Sequence, residues 1–520
     1  MRRVVLVLLC WLCCGYTFAQ QRNQQYIEKL NYAYTYLRNN YVDEVDLEPL
    51  VEAAIDATLK ELDPHSSYLT REEFMGMYEG INGEFSGIGV NIISLRDTVV
   101  VTSVLSNSPS ERAGLLKNDR ILSVDGTPLT GIDRVASVEL LRGKKGSIAT
   151  LSILRNGAPL TIDVKRDDIP TKAISAAFML EDGVAYVCVD SFLSRTTTEE
   201  FIEAVESLNG VKAMVLDLRG NIGGLLTSAV QFSELFLGRG DVIVEIESRK
   251  NSSTYEASRR GIYANLPLVV LIDEATASSS EIVAGAFQDH DRAVLVGRRS
   301  FGKGLVQKLI KFRDESGMRI TTARYRTPSG RIIQRPYSNG EREEYFTDRE
   351  RYSPLDTATI PDSLVYTTLK SGRKVYGGGG ITPDCYIVPE ITDVDRYVAD
   401  VVQSGIVVES MVEFFDRVSV SEFMKRYPTI EAFISDFEFD GEVEMVLNAK
   451  IDALALEYSA DVATVARAQI KDILRATIAD DLYRNGAYIN IYGRCYDQTL
   501  NEAVDILGDK ARFGALLGER

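Results

Sequence analysis

Three serines stand side by side in Thr276-Ala-Ser-Ser-Ser-Glu-Ile-Val-Ala-Gly-Ala-Phe287, and a glycine-flanked lysine, Lys303, follows Ser278 by 25 residues in Ser300-Phe-Gly-Lys-Gly-Leu-Val-Gln307. A serine hydroxyl attacks a carbonyl only when a base takes its proton. The chain has two histidines, His65 and His290, so the base this pattern offers is Lys303 rather than an imidazole. The chemistry it points to is hydrolysis through a Ser-Lys pair. A lysine serves as a base near neutral pH only where burial brings its pKa well below the ordinary value of about 10.4. Phe301, Leu305 and Val306 supply apolar surroundings, and Gly302 and Gly304 leave room for close backbone approach. A serine turn opening a helix also offers free N–H groups and a positive dipole end to a developing oxyanion. The same turn serves equally as a cap for the helix Glu281–Phe287, and Lys303 by itself reads as a surface lysine in a glycine turn.

A third segment, Val215-Leu-Asp-Leu-Arg-Gly-Asn-Ile-Gly-Gly-Leu-Leu226, runs from a buried strand through a glycine-rich turn into a helix. Gly223 and Gly224 are placed to present N–H groups to an oxyanion, while Asp217 and Arg219 hold the turn by pairing. A dinucleotide fingerprint needs Gly-x-Gly-x-x-Gly here and a phosphate loop needs Gly-x-x-x-x-Gly-Lys-Ser/Thr around Lys303; neither spacing is present.

The elements that must position these residues alternate between 180 and 390. Val184–Val189, Ala213–Leu218, Leu268–Ile272 and Ala293–Val296 are nearly continuous apolar runs, as strands buried on both faces require, with a helix over Thr197–Leu208 between the first two. Residues 84–166 differ: glycines punctuate β-branched runs at Gly89–Ile93, Thr98–Val104, Arg120–Val124 and Ala149–Leu154, with short helices at Ser110–Gly114 and Asp133–Leu141, a compact β-rich module. Residues 21–75 read as helices, with Tyr26, Leu30, Ala33, Leu37 and Tyr41, then Val51, Ile55, Leu59 and Leu62, at helical spacing until Asp63-Pro64. This small piece needs a neighbour or a second subunit to pack on. Residues 391–520 are again helical and carry no motif, an interaction or dimerisation region. The polyglycine Gly377–Gly380 marks a hinge or a tight strand entry.

At 520 residues the chain exceeds one core and calls for three or four units. A net charge of -17 excludes a general nucleic-acid binder, which needs a cationic face. Arg2 and Arg3 followed by a short apolar run and Thr17-Phe-Ala19 predict a secretory signal peptide over 1–19, cut before Gln20. No later run is long enough to span a bilayer, so the expected protein is exported, to a periplasm or the medium. Cys188, Cys385 and Cys495 remain: Cys188 as a small core residue, with a Cys385–Cys495 bridge open. A structural zinc site is not expected.

In this order and spacing, Leu216-Asp-Leu-Arg-Gly-Asn-Ile-Gly-Gly224, Thr276–Gly285 and Gly297–Gln307 resemble the carboxyl-terminal processing peptidases, the tail-specific serine peptidase family S41. The resemblance implies an α/β multidomain protein: a ββα, crotonase-like peptidase core (167–390) with an inserted PDZ domain (84–166) and helical N-terminal (20–83) and C-terminal (391–520) regions. It implies Ser278 as nucleophile, Lys303 as general base, and Gln307, one helical turn or two strand steps later, as the residue that orients the lysine. The backbone N–H of Ser279 and one from Gly223 or Gly224 would form the oxyanion hole. Glu281, three residues on, fixes the register among the serines. Ile222 stands where the family commonly has proline, and Ser279 where it commonly has alanine. His65 and His290 are then structural. Ser86-Gly-Ile-Gly-Val90 resembles the PDZ carboxylate-binding loop, with N–H groups at Ile88, Gly89 and Val90 facing a terminal carboxylate and Val135 and Val138 lining the side-chain pocket. The expected partners are protein or peptide substrates with free C-termini and, as an open case, a second copy of the chain. No metal or organic cofactor is implied. The rival is a non-catalytic PDZ scaffold, which would have lost Ser278, Lys303 or Gln307.

Overall fold

The computed structural model describes residues 24–518, apart from 82–83, 96–97, 106, 133, 156, 171, 181–182, 339–341, 348–358 and 389. The signal-peptide reading over 1–19 and the first residue of the expected helix Asp133–Leu141 lie outside the described residues. The chain forms two compact units, one of Met1–Phe74, Gln307–Thr321 and Tyr337–Phe346, the other of Met75–Val306, Thr322–Pro336 and Thr347–Arg520.

In the first unit, helices cover 24–40 and Leu47–Lys60. The second begins at Asp46, whose side chain accepts the Glu48 N–H, and ends ahead of Asp63-Pro64. Tyr26 and Leu30 stay more than half exposed. Asp63 accepts the N–H groups of His65 and Ser66 and the Ser66 hydroxyl, which fixes the turn into Ser67–Leu69. That strand pairs antiparallel with Gly317–Arg319. Gly317 is required there, because a Cβ would run into the Phe74 ring.

Among the described residues the second unit contains four apolar cores. In the β-rich module, strands Val90–Leu95, Thr98–Val104, Arg120–Val124, Ile148–Arg155 and Ala158–Lys165 lie in that order, with Val90–Leu95 at one edge. Helices Pro109–Ala113 and Arg134–Leu141 complete it, the first ended by Gly114 in the left-handed conformation. The strand Ala158–Lys165 escaped the sequence reading because its outward residues leave one side chain, Val164, fully buried.

The central sheet runs Ile174–Met179, Val184–Val189, Ala213–Asp217, Leu268–Ile272, Val294–Gly297 and Cys385–Tyr386, parallel except for its first pair. Its continuous apolar runs are buried on both faces. One face packs under helices Thr197–Glu206, Leu226–Glu234 and Ser279–Asp289. Leu500, Ala503, Ile506 and Leu517, from the last helices of the chain, cover the other. The remaining tail helices, from Asp393–Gln403 to Ala460–Tyr483, enclose an aromatic-rich core of their own. That bundle is tied to the sheet by the Asn485 amide, which bonds both N and O of Ala177 at 2.8 and 2.7 Å. It is tied to the β-rich module by Lys117, which pairs with Asp481 and lies over the Phe415 ring. The three described cysteines are free thiols, so Cys385 and Cys495 form no bridge, and Cys188 is a buried core residue.

The tail helices should therefore behave as part of the core. Leu500→Ala is expected to lower the unfolding free energy by about 2–5 kcal/mol. Asp505→Ala, on the exposed side of the same helix, should stay within about 0.5 kcal/mol. Urea denaturation of both variants checks this.

Candidate active site

The strand Ala213–Asp217 ends in a carboxylate that organises everything after it. Asp217 accepts the Tyr186 hydroxyl at 2.7 Å, the Arg219 N–H at 2.9 Å and the Arg219 guanidinium. Burial and the Asp217 charge push the Tyr186 phenol well above its ordinary pKa, so it remains a donor. Arg219 reaches on to Asp497 at 2.7 Å. The expected pairing of Asp217 with Arg219 is present, with Asp497 as a further member.

The turn that follows is pinned against the serine segment. Fully buried Asn221 donates to Val189 O, its Oδ1 accepts the Gly223 N–H at 2.9 Å, and its carbonyl accepts the Ala277 N–H at 3.0 Å. Gly223, at φ +98°, leaves no room for a side chain: a Cβ would stand 2.7 Å from Ala277 O and 2.9 Å from both Ser278 Cβ and Ser279 N. With the Gly223 N–H engaged by Asn221, Gly224 supplies the glycine N–H that has no partner among the described residues.

The serine segment enters from Leu268–Ile272 through a turn in which Asp273 accepts the N–H groups of Gly220, Ala275 and Thr276. Ser278 is the N-cap of the helix Ser279–Asp289 and holds φ 58°, ψ -120°. That conformation costs a non-glycine residue about 1–3 kcal/mol. Ser278 is half-buried, whereas Ser279 and Ser280 are 2% and 0% exposed, so only the first serine of the three opens to solvent. His290 caps the far end of this helix, about 18 Å from Ser278 at 1.5 Å per residue. There its Nε2 lies 2.7 Å from Val242 O. His65, in the first unit, has its ring Nε2 3.3 Å from the Tyr345 hydroxyl.

Glu281 joins the serine to the lysine. Its side chain is fully buried. One oxygen accepts the N–H of Ser278 at 2.8 Å and of Lys303 at 2.9 Å; the other accepts the Ser300 hydroxyl at 2.5 Å and the Gly302 N–H at 2.7 Å. The main chains of Ser278 and Lys303 are thus neighbours on a single oxygen. Burial raises the carboxyl pKa and the four donors work against that rise without cancelling it. On the carbonyl side, the Tyr325 hydroxyl lies 2.6 Å from Lys303 O and 3.0 Å from Ser278 O. The glycines around the lysine serve close approach, as expected: Gly302, at φ +87°, abuts Gly380 N, and Gly304 abuts Gln334. The polyglycine forms a bend after the strand Lys374–Tyr376, where Gly378 and Gly380 donate to Ile332 O and Ile333 O and Ile381 N donates to Ser300 Oγ.

Gln307 lies in the first unit, where its amide nitrogen donates to His65 O at 2.8 Å. In the β-rich module Gly87 and Ile88 are buried, Ser86 and Val90 half-buried, and Gly89 sits at φ +78° against Ser108. Ile88 O and Gly89 O accept the N–H groups of Ser110 and Leu105. Val138 packs on the module's core, whereas Val135 is 69% exposed. Sequence reasoning did not find Asn221, Ser300 or Tyr325: an asparagine in a turn, a serine near glycine and a tyrosine in a strand carry no signal of their own. Among the described residues there is no cluster suited to a metal ion and no helix long and apolar enough to cross a membrane.

Comparison with known proteins agrees with this layout. The model of peptidase family S41 matches residues 183–338, that of the PDZ domain residues 86–165, and that of the activating protease CtpB N-terminal domain residues 16–73. A carboxy-terminal-processing protease of Bartonella bacilliformis is 36% identical over 61% of this chain and 74% of its own length. The carboxy-terminal processing protease CtpA of Bacillus subtilis is 32% identical over 64% of this chain and 74% of its own length. The pinned glycine turn, and the strained serine and the lysine that share one buried carboxylate, all lie within the residues matched by the S41 model, and the chain belongs to the carboxy-terminal processing proteases of peptidase family S41, with a PDZ domain.

Proposed function

We propose that this chain is an exported serine endopeptidase that engages C-terminal or unfolded protein segments through its PDZ domain and cuts them by a Ser-Lys mechanism. The carrying observation is the shared oxygen of Glu281, which keeps the backbones of Ser278 and Lys303 side by side. Export rests on the charged and apolar start of the sequence.

The uncharged Lys303 amine takes the proton of the Ser278 hydroxyl as its oxygen attacks the scissile carbonyl carbon. The carbonyl electron pair moves onto oxygen, which accepts hydrogen bonds from Ser279 N–H, the first turn of the helix, and from the glycine turn. Gly224 N–H is the ready donor of the two candidates; Gly223 N–H joins only on leaving Asn221. The tetrahedral adduct collapses, the C–N bond breaks and the Lys303 ammonium protonates the leaving amine, giving the Ser278 ester. Water then attacks that ester, Lys303 takes its proton and returns it to the serine oxygen, and the carboxyl product leaves. Gln307 is assigned to orient the amine on its offset of four residues from Lys303. In the PDZ domain the edge strand Val90–Leu95 is open to strand addition by a peptide whose carboxylate meets the loop Ser86–Val90.

On a disordered peptide with a free C-terminus, Ser278→Ala and Lys303→Ala should each lower hydrolysis by about 10³-fold or more, and a fluorophosphonate should label Ser278 in the unaltered protein alone. Ordinary cleavage by either variant overturns the mechanism. The raised pKa of Glu281 gives a second expectation. As pH falls through that pKa the carboxylate gains a proton and one of its acceptor sites becomes a donor, so the hold on Ser278 and Lys303 weakens. Below the limb that protonation of Lys303 imposes, activity should therefore take a second, steeper fall that begins at a higher pH than an ordinary glutamate, near about 4.3, would give. Glu281→Gln should be slower by about 10- to 100-fold and keep the lysine limb while lacking the second fall. Profiles of kcat/KM against pH check both.

A further inference from the structure

We propose that Tyr325 is a positioning residue for the Ser-Lys pair, acting through its hydroxyl on the carbonyl groups of Ser278 and Lys303; this rests on the mechanism above.

Tyr325 stands 47 residues beyond the serine, on the strand Gly317–Arg326, and is 1% exposed. Its backbone N–H bonds Gly304 O at 3.0 Å, which fixes the strand beside the lysine loop. Its ring packs into the apolar core beneath the helix Ser279–Asp289. From there the hydroxyl reaches Lys303 O at 2.6 Å and Ser278 O at 3.0 Å. A phenol has one proton, so it donates mainly to the nearer carbonyl and shares a three-centre contact with the other. Glu281 gathers the N–H groups of the same two residues. Ser278 and Lys303 are consequently each held at the N–H by a carboxylate and at the C=O by a hydroxyl, the Ser278 carbonyl also accepting the helix N–H groups of Glu281 and Ile282. The arrangement matters most at Ser278, whose backbone would relax out of φ 58° if released. Such a relaxation would swing the serine oxygen away from the amine by a distance on the scale to which catalysis is sensitive. The effect assigned to Tyr325 passes through the two carbonyls it meets, and so through the placement of Ser278 and Lys303.

The test is Tyr325→Phe, which removes one oxygen and keeps the ring. Tm should stay within a few degrees of the unaltered protein, while kcat on the disordered peptide falls by about 10- to 100-fold with KM nearly unchanged. The rate of Ser278 labelling by a small fluorophosphonate, which needs no PDZ binding, should fall in parallel. Replacing the residue by p-aminophenylalanine, which restores a donor at the same place, should recover most of the loss. Unchanged kcat and labelling, or a variant that fails to fold, would overturn the proposal, the latter by placing the hydroxyl in the fold and not in the site. Ser278→Ala run alongside separates the two readings: if it cleaves normally, the mechanism itself has failed, whatever Tyr325→Phe does.

Discussion

A buried carboxylate with four donors is the constraint on which this site depends. Taking the Glu281 charge out of water is costly, and only a full set of hydrogen bonds makes it tolerable. Here every donor comes from one of two segments: the N–H of Ser278 on one side, and the N–H of Lys303 with Ser300 and Gly302 just before it on the other. Those bonds are charge-assisted and therefore stronger than neutral ones. Satisfying the carboxylate and assembling the site are one event, and a chain in which the two segments drift apart leaves an unsolvated acid behind.

The same bonds hold strain in place. Ser278 keeps a backbone conformation that few side chains adopt, and the helix behind it is packed from Ser279 to Asp289 without an exposed residue. Asn221 and Gly223 close the approach from the other side, through a carbonyl and a missing side chain. The rigid scaffold is the sheet, buried on both faces; the chemistry sits on turns at the ends of its strands, where backbone N–H groups are still unspent.

Much of this was legible in the residues. Val184–Val189 and Leu268–Ile272 announced buried strands because parallel strands covered on both faces cannot alternate. Glu281, read as a register mark beside three serines, binds the Ser278 N–H from the third position of the helix. Gly302 and Gly304 were read correctly as room for backbone contact. What stayed hidden was whatever depends on a partner distant in sequence. Tyr325 gives no local sign of meeting two carbonyls, and the helix Gln498–Gly508 shows an apolar stripe without saying which surface it covers. Ala158–Lys165 was passed over because its outward side chains are solvated, although its ladder with Ile148–Arg155 runs through eight residue pairs.

That stripe changes what the tail means. Val215, Val269, Leu271, Val294 and Val296 form a flat aliphatic surface whose cover is contributed by residues 500–517. Bare, such a surface would draw water into contact with the back of the very strands whose ends hold Asp217 and the serine turn, and would invite self-association. Arg219 reinforces the dependence by gripping Asp497 at the start of the covering helix. The sheet that carries the serine turn is thus roofed by the part of the chain with no recognisable motif, and trimming that end would be an injury to the protein's foundations.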